Sequence, residues 1–373
     1  MPNQTNTRKK IIHLSSVHRD HDVRIFLKEC RSLAKLFPEY EVHLILTGVQ
    51  ERIEDLVQIH TVPKVEGSRL KRMWTTVNHV YRKALELNGD VYHLHDPELM
   101  RIALRLKRKG KKVIYDAHED LPRQILGKSY VPMRKVVSWV MEGVEDFVCS
   151  RLSGIVTATP HIANRFQRIH SNTIDINNFP LETEIEFISS KEMKKENSVC
   201  FIGGISPIRG TQELVDAMAL TDCHLELAGE ISVDFKNQLV KSKGWTNVRE
   251  LGFIDRKTSM ELKQKSIAGV VTFLSYPNHV NAQPNKIFEY MAAGLPVIGS
   301  NFQMWRELLV ENNCGICVDP SNPKEISDAI TYLKNHPDEA KLMGENGKKL
   351  VHEKYNWNVE ELKLASFYRT ILG

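Results

Sequence analysis

The sequence predicts an α/β protein made of two doubly wound domains, each built on a parallel sheet. Short β-rich runs alternate with helix-length amphipathic segments, and this alternation starts again after the middle of the chain. The 373 residues exceed one ordinary domain and suit two domains of roughly 150–200 residues. Because ligands of open parallel sheets bind beyond the carboxyl ends of the strands, we expect the functional residues in a central cleft that both domains face.

In the first half of the chain, five short apolar runs end in polar or turn residues, which is typical of buried parallel strands. The predicted strands are Ile11–Ser15, Val42–Thr47, Val91–His95, Val113–Ala117 and Ile155–Ala158. Amphipathic segments between most of these runs predict helices. The predicted helices are Arg24–Leu36, Leu70–Leu87, Leu99–Lys109 and Met133–Leu152.

The second half repeats this pattern after a segment that has none. The predicted strands are Val199–Ile202, His224–Ala228, Val270–Leu274, Val297–Gly299 and Gly315–Val318, and the predicted helices are Thr211–Ala219, Asp234–Lys243, Lys257–Lys265 and Lys286–Ala293. Residues 180–197 contain a proline and a charge run without sustained periodicity, so we place the linker there. The predicted domains are residues 1–185 and 195–355, with a last helix in residues 356–373 that packs back toward the first domain.

Charge is spread unevenly over the chain. Residues 1–180 carry 29 Lys and Arg against 20 Asp and Glu, whereas residues 181–373 carry 22 against 26. A basic first half indicates an anionic partner, such as anionic lipid, a phosphorylated acceptor or nucleic acid, although an ordinary solvated surface gives the same balance.

Targeting and membrane signals are weak. The N-terminal segment is polar and then basic, and the apolar stretch that follows is too short for a signal peptide. No apolar run approaches the ~18 residues of a membrane-spanning helix. Six cysteines in a chain of this length do not indicate a disulfide framework. We therefore expect a cytoplasmic protein.

The segment of residues 281–298, NAQPNKIFEYMAAGLPVI, predicts an anion site at the start of a helix. Pro284 stands where the first helical turn begins, and the residues after it present free backbone N–H groups at the positive helix end. Lys286 adds a full positive charge there, and a bound anion would compensate it. Glu289, one turn later, is placed to accept hydrogen bonds from a ribose diol. The alternative is a plain helix start with a lysine and a glutamate on the surface.

A second segment, FIGGISPIRG at residues 201–210, joins a strand to a helix through a glycine-containing loop. Paired Gly203 and Gly204 allow the backbone to approach a ligand closely. Arg209 offers a two-pronged contact to phosphate. The pattern is neither the spaced glycines of dinucleotide-binding proteins nor a P-loop. A turn with a surface arginine is the other interpretation of this segment.

Polar residues also follow strands in the first half of the chain. His118 lies in the sequence YDAHED directly after a predicted strand, and His95 and Asp96 follow another strand. The loop SSVHRDHDVR lacks glycine, so its side chains are the candidates for substrate contacts; they include His18, Asp22 and Arg24. A histidine after a strand is often structural, and that interpretation stays open for His118.

Taken together, these segments resemble glycosyltransferase family four, whose members have the GT-B fold. The resemblance covers most of the chain and is clearest from residue 199 to about residue 355. The family signature is a glutamate, seven residues and a second glutamate, followed by a small-residue helix and a Gly-x-Pro-Val strand. Glu289 matches the second glutamate, and Asn281 stands in place of the first. In the glycine loop, Gly204 replaces the family's arginine and Arg209 stands in for its lysine.

The resemblance implies a retaining, metal-independent hexosyltransferase that needs no cofactor. The sugar would come from a nucleotide-diphosphate donor, most commonly a UDP-sugar, and the departing phosphate would take the proton of the acceptor. The string PNKIFEY resembles family members of bacterial surface-polysaccharide synthesis, which implies a glycan or polyprenyl-diphosphate-linked acceptor. The predicted catalytic residues are His118, Arg209 and Lys286. The predicted donor-binding residues are Gly203, Gly204, Arg209, Phe253, Asn281, Pro284, Asn285, Lys286, Ile287 and Glu289. The predicted acceptor-binding residues are His18, Asp22, Arg24, His95 and Asp96.

A basic and apolar segment at residues 121–152 suits an acceptor held at the inner membrane face. Its basic residues are Arg123, Lys128, Arg134 and Lys135, and its apolar residues include Ile125, Leu126, Val131, Val137 and Trp139. The alternative is that these apolar side chains belong to the core. Peripheral attachment to the membrane is therefore an expectation that depends on their exposure.

Two patterns are interpreted as structural. Cys314 and Cys317 have the spacing of a redox or zinc pair, but no second pair accompanies them. Metal binding by histidines requires convergence in space that a sequence does not show, and no metal site is predicted. The histidines concerned are His13, His18, His21, His93, His95 and His118.

Two other functions remain open at this point. A nucleotide-sugar epimerase of the same fold would use the donor pocket without an acceptor. A non-catalytic partner subunit of a glycosyltransferase complex would bind a nucleotide sugar or glycan, and Asn281 and Gly204 favour it because they replace charged family residues. Binding of nucleic acid is not predicted, since no recognition helix or aromatic and basic platform stands out.

Overall fold

The computed structural model describes residues 8–128, 130–189 and 194–373. The chain forms two compact units, one of Met1–Asn178 with Val359–Gly373 and one of Phe179–Asn358. The division falls between Asn178 and Phe179, before residue 185 where the sequence analysis ended the first domain. The reason is that the Phe179 ring packs on Phe288 in the second unit, with 4.6 Å between the ring centroids.

The first unit contains an eight-stranded sheet. Its strands are β1 (Lys9–Leu14), β2 (Tyr40–Thr47), β3 (Arg52–Glu54), β4 (Val57–Val62), β5 (Val91–Leu94), β6 (Lys112–Ala117), β7 (Gly154–Thr157) and β8 (Thr173–Asp175). They lie in the order β3-β4-β2-β1-β5-β6-β7-β8, and all neighbours are parallel except β3 and β4. The five predicted strands are confirmed to within two residues at each end, whereas β4 and the edge strands β3 and β8 were missed.

The helices of the first unit flank this sheet. They are a π-helix at Val23–Cys30, α1 (Arg31–Leu36), α2 (Arg69–Leu87), a 3₁₀ turn at Pro97–Leu99, α3 (Met100–Arg108), α4 (Leu121–Leu126), α5 (Arg134–Cys149) and α6 (Pro160–Phe166). A buried cluster that includes Ile12, Tyr92, Leu106 and Phe166 forms the core between the sheet and these helices.

The prediction of one α-helix over Arg24–Leu36 is wrong in its first half. Residues 23–30 form a π-helix, and the α-helix begins at Arg31. In a π-helix, residues five apart lie on the same face. Arg24 and Glu29 therefore both turn inward, and the Arg24 Nε atom lies 3.2 Å from Glu29 Oε1. The carboxylate of Asp22 caps this helix by accepting hydrogen bonds from the backbone N–H groups of Arg24 and Ile25.

The second unit contains a six-stranded parallel sheet. Its strands are β9 (Ser198–Ile202), β10 (His224–Ala228), β11 (Val248–Gly252), β12 (Ala268–Val271), β13 (Val297–Ser300) and β14 (Gly315–Val318). They lie in the order β11-β10-β9-β12-β13-β14. The predicted strand Val270–Leu274 is displaced toward the N-terminus, and β11 at the sheet edge was missed.

The helices of the second unit follow the predicted alternation. They are α7 (Glu182–Ser189), α8 (Thr211–Ala217), α9 (Val233–Leu239), α10 (Arg256–Lys265), α11 (Asn285–Ala292), α12 (Gln303–Leu309), α13 (Pro323–Asn335) and α14 (Pro337–Glu353), with 3₁₀ turns at Pro207–Arg209, Met218–Leu220 and Lys243–Asn247. A last helix, α15 (Trp357–Leu372), belongs to the first unit from Val359 onward. None of the helices in the described residues has the length and apolar character needed to cross a bilayer.

Candidate functional site

In the second unit, β9 and β12 are neighbours at the point where the order of the strands reverses. Loops that leave the carboxyl ends of two such strands diverge, which creates the usual binding crevice of an open α/β sheet. The loop after β9 contains Gly203 and Gly204. Gly203 has φ +148°, and a Cβ atom on either glycine would lie 3.3 Å from Nη1 of Arg209. The glycines therefore leave the space that the arginine side chain occupies.

Arg209 lies across this loop. Its Nη1 atom donates a hydrogen bond to the carbonyl oxygen of Gly204 at 3.2 Å, and its guanidinium lies 5.4 Å from the centroid of the Phe273 ring. Partial burial lowers the pKa of Arg209, but a guanidinium remains charged at neutral pH. The turn that carries Arg209 is fixed by Gly210, because a Cβ atom there would lie 1.8 Å from the carbonyl oxygen of Thr272.

Helix α11 packs against the same two strands. The hydroxyl of Tyr290 accepts a hydrogen bond from the backbone N–H of Ile202, the last residue of β9, at 2.9 Å. A Cβ atom on Gly269 of β12 would meet the Tyr290 ring at 2.3 Å, so that strand requires a glycine there. The indole N–H of Trp305 donates to the carbonyl of Ala282 at 2.8 Å and thereby holds the loop that precedes α11.

The start of α11 differs by one position from the prediction. Pro284 is the N-cap residue, with φ −64° and ψ 128°, and the helix begins at Asn285. The backbone N–H of Ile287 donates to the carbonyl of Pro284 at 3.1 Å. The N–H groups of Asn285 and Lys286 lie before the first hydrogen bond of the helix, as expected at a helix N-terminus. Asn281 lies half-buried in the turn that precedes this start.

The Glu289 carboxylate is held by two lysines. Lys286 donates to both carboxylate oxygens at 2.8 Å, and Lys263 donates to Oε2 at 2.7 Å. Burial alone would raise the pKa of Glu289, but the two ammonium groups outweigh it and lower that pKa to about 2. The group therefore carries two positive charges and one negative charge at neutral pH.

Lys263 was missed by the sequence analysis. It lies on α10, is buried to 5% exposure, and follows buried Met260 by three residues. A lysine on the inward stripe of a predicted amphipathic helix is the signal that could have found it, because a lysine is almost never fully buried without a partner.

In the first unit, the loops after β1 and β5 meet at Asp96. Its carboxylate accepts hydrogen bonds from Ser15 Oγ at 2.8 Å, from the backbone N–H of Ser16 at 2.6 Å and from Ser16 Oγ at 3.1 Å. The Nδ1 atom of His18 lies 3.0 Å from the other carboxylate oxygen. Burial opposes ionisation, yet these donors lower the pKa of Asp96 to about 2. Burial also opposes the charge on His18, and the hydrogen bond to Asp96 raises its pKa.

Asp116, the buried residue two positions before His118, connects the other polar groups of this unit. Arg24 donates to its two carboxylate oxygens at 2.9 and 2.7 Å. His118 Nε2 lies 2.8 Å from Oδ2, and His95 Nδ1 lies 3.2 Å from the same atom. Burial would raise the pKa of Asp116, but Arg24 and His118 hold it well below the usual range. His118 is the one half-buried member of this group, so its ring extends from a fixed carboxylate toward the surface.

Two family models match the chain. The model of Glycosyltransferase Family 4 matches residues 15–176, and the model of group 1 glycosyl transferases matches residues 182–350. Together they cover most of both units. The chain belongs to glycosyltransferase family four.

Relatives of this family-four glycosyltransferase include transferases of deoxyhexose and mannose. The chain is 25% identical over 276 residues to the D-rhamnosyltransferase WbpZ of Pseudomonas aeruginosa, a match that covers 71% of this chain and 70% of the relative. It is 35% identical over 81 residues to a GDP-mannose-dependent alpha-(1-6)-phosphatidylinositol monomannoside mannosyltransferase of Mycobacterium tuberculosis, covering 22% of this chain and 21% of that protein.

Solved structures confirm the predicted fold class. The sucrose-phosphate synthase of Thermosynechococcus elongatus superposes with a TM-score of 0.77 at 15% identity and covers 98% of this chain and 99% of its own. Anabaena HepE in complex with UDP gives a TM-score of 0.70 at 15% identity, with 97% of this chain and 100% of that chain covered. The glycosyltransferase therefore has the GT-B fold, with two parallel-sheet α/β domains.

The structure brings some of the predicted donor residues together and leaves one apart. Gly203, Gly204 and Arg209 share one loop, and Lys286 and Glu289 share an ion pair on α11. Ile287 is buried, so its backbone alone is available to a ligand. Phe253 is 82% exposed in the loop after β11, and no contact in the described part of the chain joins its side chain to this group.

Several predicted acceptor residues make contacts within the first unit. The Arg24 guanidinium is buried against Asp116 and donates to the carbonyl of Ile176, so it positions other groups. Asp22 serves as a helix cap, as described above. His95 and Asp96 are each 1% exposed. His18, Asp22 and His118 are half-buried.

Among the described residues, Cys314 and Cys317 form no disulfide and belong to no group that could hold a metal ion. All six cysteines are free thiols. Burial raises the pKa of both Cys314 and Cys317 to about 12, so both remain protonated at neutral pH. A thiol in this state is a poor nucleophile and a poor ligand, which agrees with the structural interpretation.

Proposed function

We propose that this glycosyltransferase moves a hexose, with retention at the anomeric carbon, from a UDP-sugar to a glycan or lipid-linked acceptor of a surface polysaccharide. The observation that carries the proposal is the group formed by Lys263, Lys286 and Glu289 at the start of α11, which combines an anion-binding helix end with a carboxylate held in place.

The proposed donor site contains cationic groups that bind the diphosphate and a carboxylate that binds the ribose. The start of α11, Lys286 and Arg209 stabilise the diphosphate as its bond to the anomeric carbon breaks. Glu289 accepts hydrogen bonds from the ribose hydroxyls. When Lys286 turns toward the diphosphate, Lys263 stays with Glu289 and keeps the carboxylate ionised, because its ammonium group is buried beside it.

The proposed reaction needs no metal ion or other cofactor. The new bond from the acceptor oxygen forms on the face that the phosphate leaves, and the departing phosphate oxygen takes the acceptor proton. In the first unit, His118 is oriented by Asp116 and offers a polar ring for the sugar or the leaving phosphate. His18 is held in the same way by Asp96.

The nucleobase is a separate part of this proposal. HepE was solved with UDP, which supports a UDP-sugar, whereas the printed name of the mycobacterial mannosyltransferase specifies GDP-mannose. We expect one nucleotide class to raise the melting temperature of the protein and to act as donor. The measurement is thermal stabilisation and turnover with UDP-, GDP-, ADP- and dTDP-sugars, with and without glycan or lipid-linked acceptors.

Each outcome of this panel decides between the functions that remained open. Transfer to an acceptor supports the proposal, and the anomeric configuration of the product tests retention. Conversion of the donor to its epimer without an acceptor would make the chain an epimerase. Normal nucleotide binding with neither transfer nor hydrolysis would make it a partner subunit. Undiminished transfer in the presence of a chelator tests metal independence.

We further propose that the first unit attaches to the inner face of an anionic membrane through α5. Apolar side chains recur along this helix at intervals of three and four residues and are exposed, with Trp139 at 75%. Ile125 belongs to the core, as the alternative interpretation predicted. The exposed apolar stripe comprises Met133, Val136, Trp139, Val140, Val144 and Phe147. Lys128, Arg134 and Lys135 lie beside it in sequence, as in interfacial amphipathic helices.

The double substitution Trp139→Ser and Phe147→Ser is expected to lower the fraction of protein that sediments with phosphatidylglycerol-containing vesicles several-fold. The reason is the loss of two large apolar anchors, and raising the salt concentration should weaken the remaining binding. Leu362→Ser removes an apolar side chain from α15 whose exposure lies between those of Trp139 and Phe147, and it serves as the control. Equal sedimentation of all three proteins would remove α5 from the proposal.

A further inference from the structure

The first unit contains a buried group of three histidines and one glutamate that the proposed transfer reaction does not use in full. His13 lies on β1 directly opposite His93 on β5, and His95 follows two residues later, just beyond the end of β5, with its ring stacked on that of His93. Glu29 reaches the group from the π-helix. All four residues are at most 1% exposed. Buried parallel strands usually carry Val, Ile or Leu at such positions, so this group requires an explanation.

The four side chains converge closely. Neighbouring imidazole rings lie 4.7–5.1 Å apart between centroids. When each residue supplies one nitrogen or oxygen atom, all four atoms lie within 4.8 Å of one another. No metal site was predicted, because a sequence does not show convergence in space; the structure brings together His13, His93 and His95 of the six histidines considered above.

The hydrogen bonds of this group fix which ring nitrogens carry protons. Because the Asp116 carboxylate is an acceptor, His95 Nδ1 donates to it at 3.2 Å. His95 Nε2 then accepts from Nδ1 of His13 at 2.8 Å, which leaves the lone pair of His13 Nε2 free. On the other side, His93 Nδ1 bonds the Tyr368 hydroxyl at 2.8 Å. The second nitrogen of a metal-binding histidine is usually held by such a partner.

Four buried polar atoms of this group have no hydrogen-bond partner among the described residues. They are Nε2 of His13, Nε2 of His93 and both carboxylate oxygens of Glu29. An unsatisfied polar group is costly to bury, and an unobserved ion or water is a common explanation.

The nearby arginine does not oppose a cation at this position. The Arg24 guanidinium lies 3.2 Å from Glu29 Oε1, but two of its three hydrogen bonds go to the Asp116 carboxylate, which offsets its charge. Two imidazoles and one carboxylate supply three of the four ligands of a tetrahedral Zn²⁺ site, and a water molecule would supply the fourth. A tetrahedral site with bonds of ~2.05 Å separates its ligand atoms by ~3.4 Å, so the side chains would move closer together on binding the ion.

We propose that His13, His93 and Glu29 bind one Zn²⁺ ion in the first unit, with His95 as the residue that fixes the His13 ring. The ion is structural: it joins β1, β5 and the π-helix, and through the hydrogen bond of His93 to Tyr368 it secures the last helix. It lies on buried side chains and takes no part in sugar transfer, which remains a metal-independent reaction.

The test uses the full chain without a histidine tag, stripped with a chelator and dialysed. We expect it to take up about one equivalent of Zn²⁺ per chain in competition with a chromogenic chelator, and to melt at a higher temperature with Zn²⁺ than without. Substitution with Co²⁺ should give the visible absorption of a tetrahedral site. Uptake well below one equivalent by the folded wild-type chain would overturn the proposal.

Variants assign the ligands. His13→Gln and His93→Gln should weaken Zn²⁺ affinity by at least about 100-fold, and His95→Gln by about 10–100-fold, the range for a partner of a ligand. His93→Cys retains a metal-binding atom and should keep more affinity than His93→Gln, which separates lost ligation from misfolding. The control is His60→Gln, because His43 and His60 form a stacked pair with a 2.9 Å hydrogen bond and lie outside this group. Equal affinity in His13→Gln and His60→Gln would contradict the assignment.

Discussion

Replacing Glu289 by alanine is expected to lower kcat/KM for sugar transfer by at least about 100-fold and to abolish stabilisation by the nucleotide. The substitution removes the proposed acceptor of the ribose hydroxyls. It also leaves Lys263 buried without its counter-charge and Lys286 without the carboxylate that orients it. Loss of one preorganised polar contact at a transition state typically costs 10²–10³ in rate, and this substitution removes more than one.

The measurement is steady-state kinetics with the donor found by the nucleotide panel, together with the melting temperature with and without that nucleotide. Glu311→Ala removes an exposed glutamate from the same unit and is the matched control, which should behave as wild type. Glu289→Asp keeps the charge and should retain more activity than Glu289→Ala. If Glu289→Ala binds the donor as tightly as wild type while Lys263 remains buried, the donor site does not lie at α11.

The second large effect is expected for Asp116→Asn. The amide keeps the shape but loses the negative charge that faces buried Arg24 and orients His118. Removing one partner of a buried ion pair typically destabilises a protein by about 3–5 kcal/mol. We expect a loss of stability of that order in the first unit. Transfer should also fall by about 10²-fold or more, since His118 loses the carboxylate that holds its ring.

Hydrogen exchange of backbone amides in β1, β5 and β6, followed against urea concentration, measures this loss within the first unit. Asp55→Asn is the control, because Asp55 and Arg31 form an ion pair in which both side chains are more than 40% exposed. A surface pair of this kind contributes less than about 1 kcal/mol. Equal protection of the amides in Asp116→Asn and Asp55→Asn would show that the buried charge is not needed.

The sequence predicted the central strands well because both faces of those strands are buried. Their apolar runs are continuous, so residues such as Ile11 and Val113 are recognised without knowing their neighbours. Edge strands such as Arg52–Glu54 and Val248–Gly252 are half-exposed and short, and their composition does not distinguish them from loops. The π-helix was missed for another reason. Its inward residues Arg24 and Glu29 are charged, and charged residues in a sequence predict a helix face that is exposed to solvent.

For the candidate site, the sequence identified groups that follow strands but not the partners those groups have. Lys286 and Glu289 were predicted from their position at a helix start. Lys263 comes from another helix, and only packing places it beside Glu289. Likewise, Arg24 was expected to contact a substrate because it lies in a loop after a strand. Arg24 and its carbonyl partner Ile176 are 152 residues apart, and local sequence patterns do not predict a contact over that separation.

The discontinuous path of the chain through the first unit has a consequence for its biosynthesis. Residues 359–373 complete this unit: Glu360 accepts a hydrogen bond from the backbone N–H of Asn177, and the Phe367 ring fills the space that a side chain on Gly154 would need. A ribosome delivers these residues after it has made the whole second unit. The second unit, continuous in sequence, is therefore free to fold first during translation, while the first waits with an incomplete core.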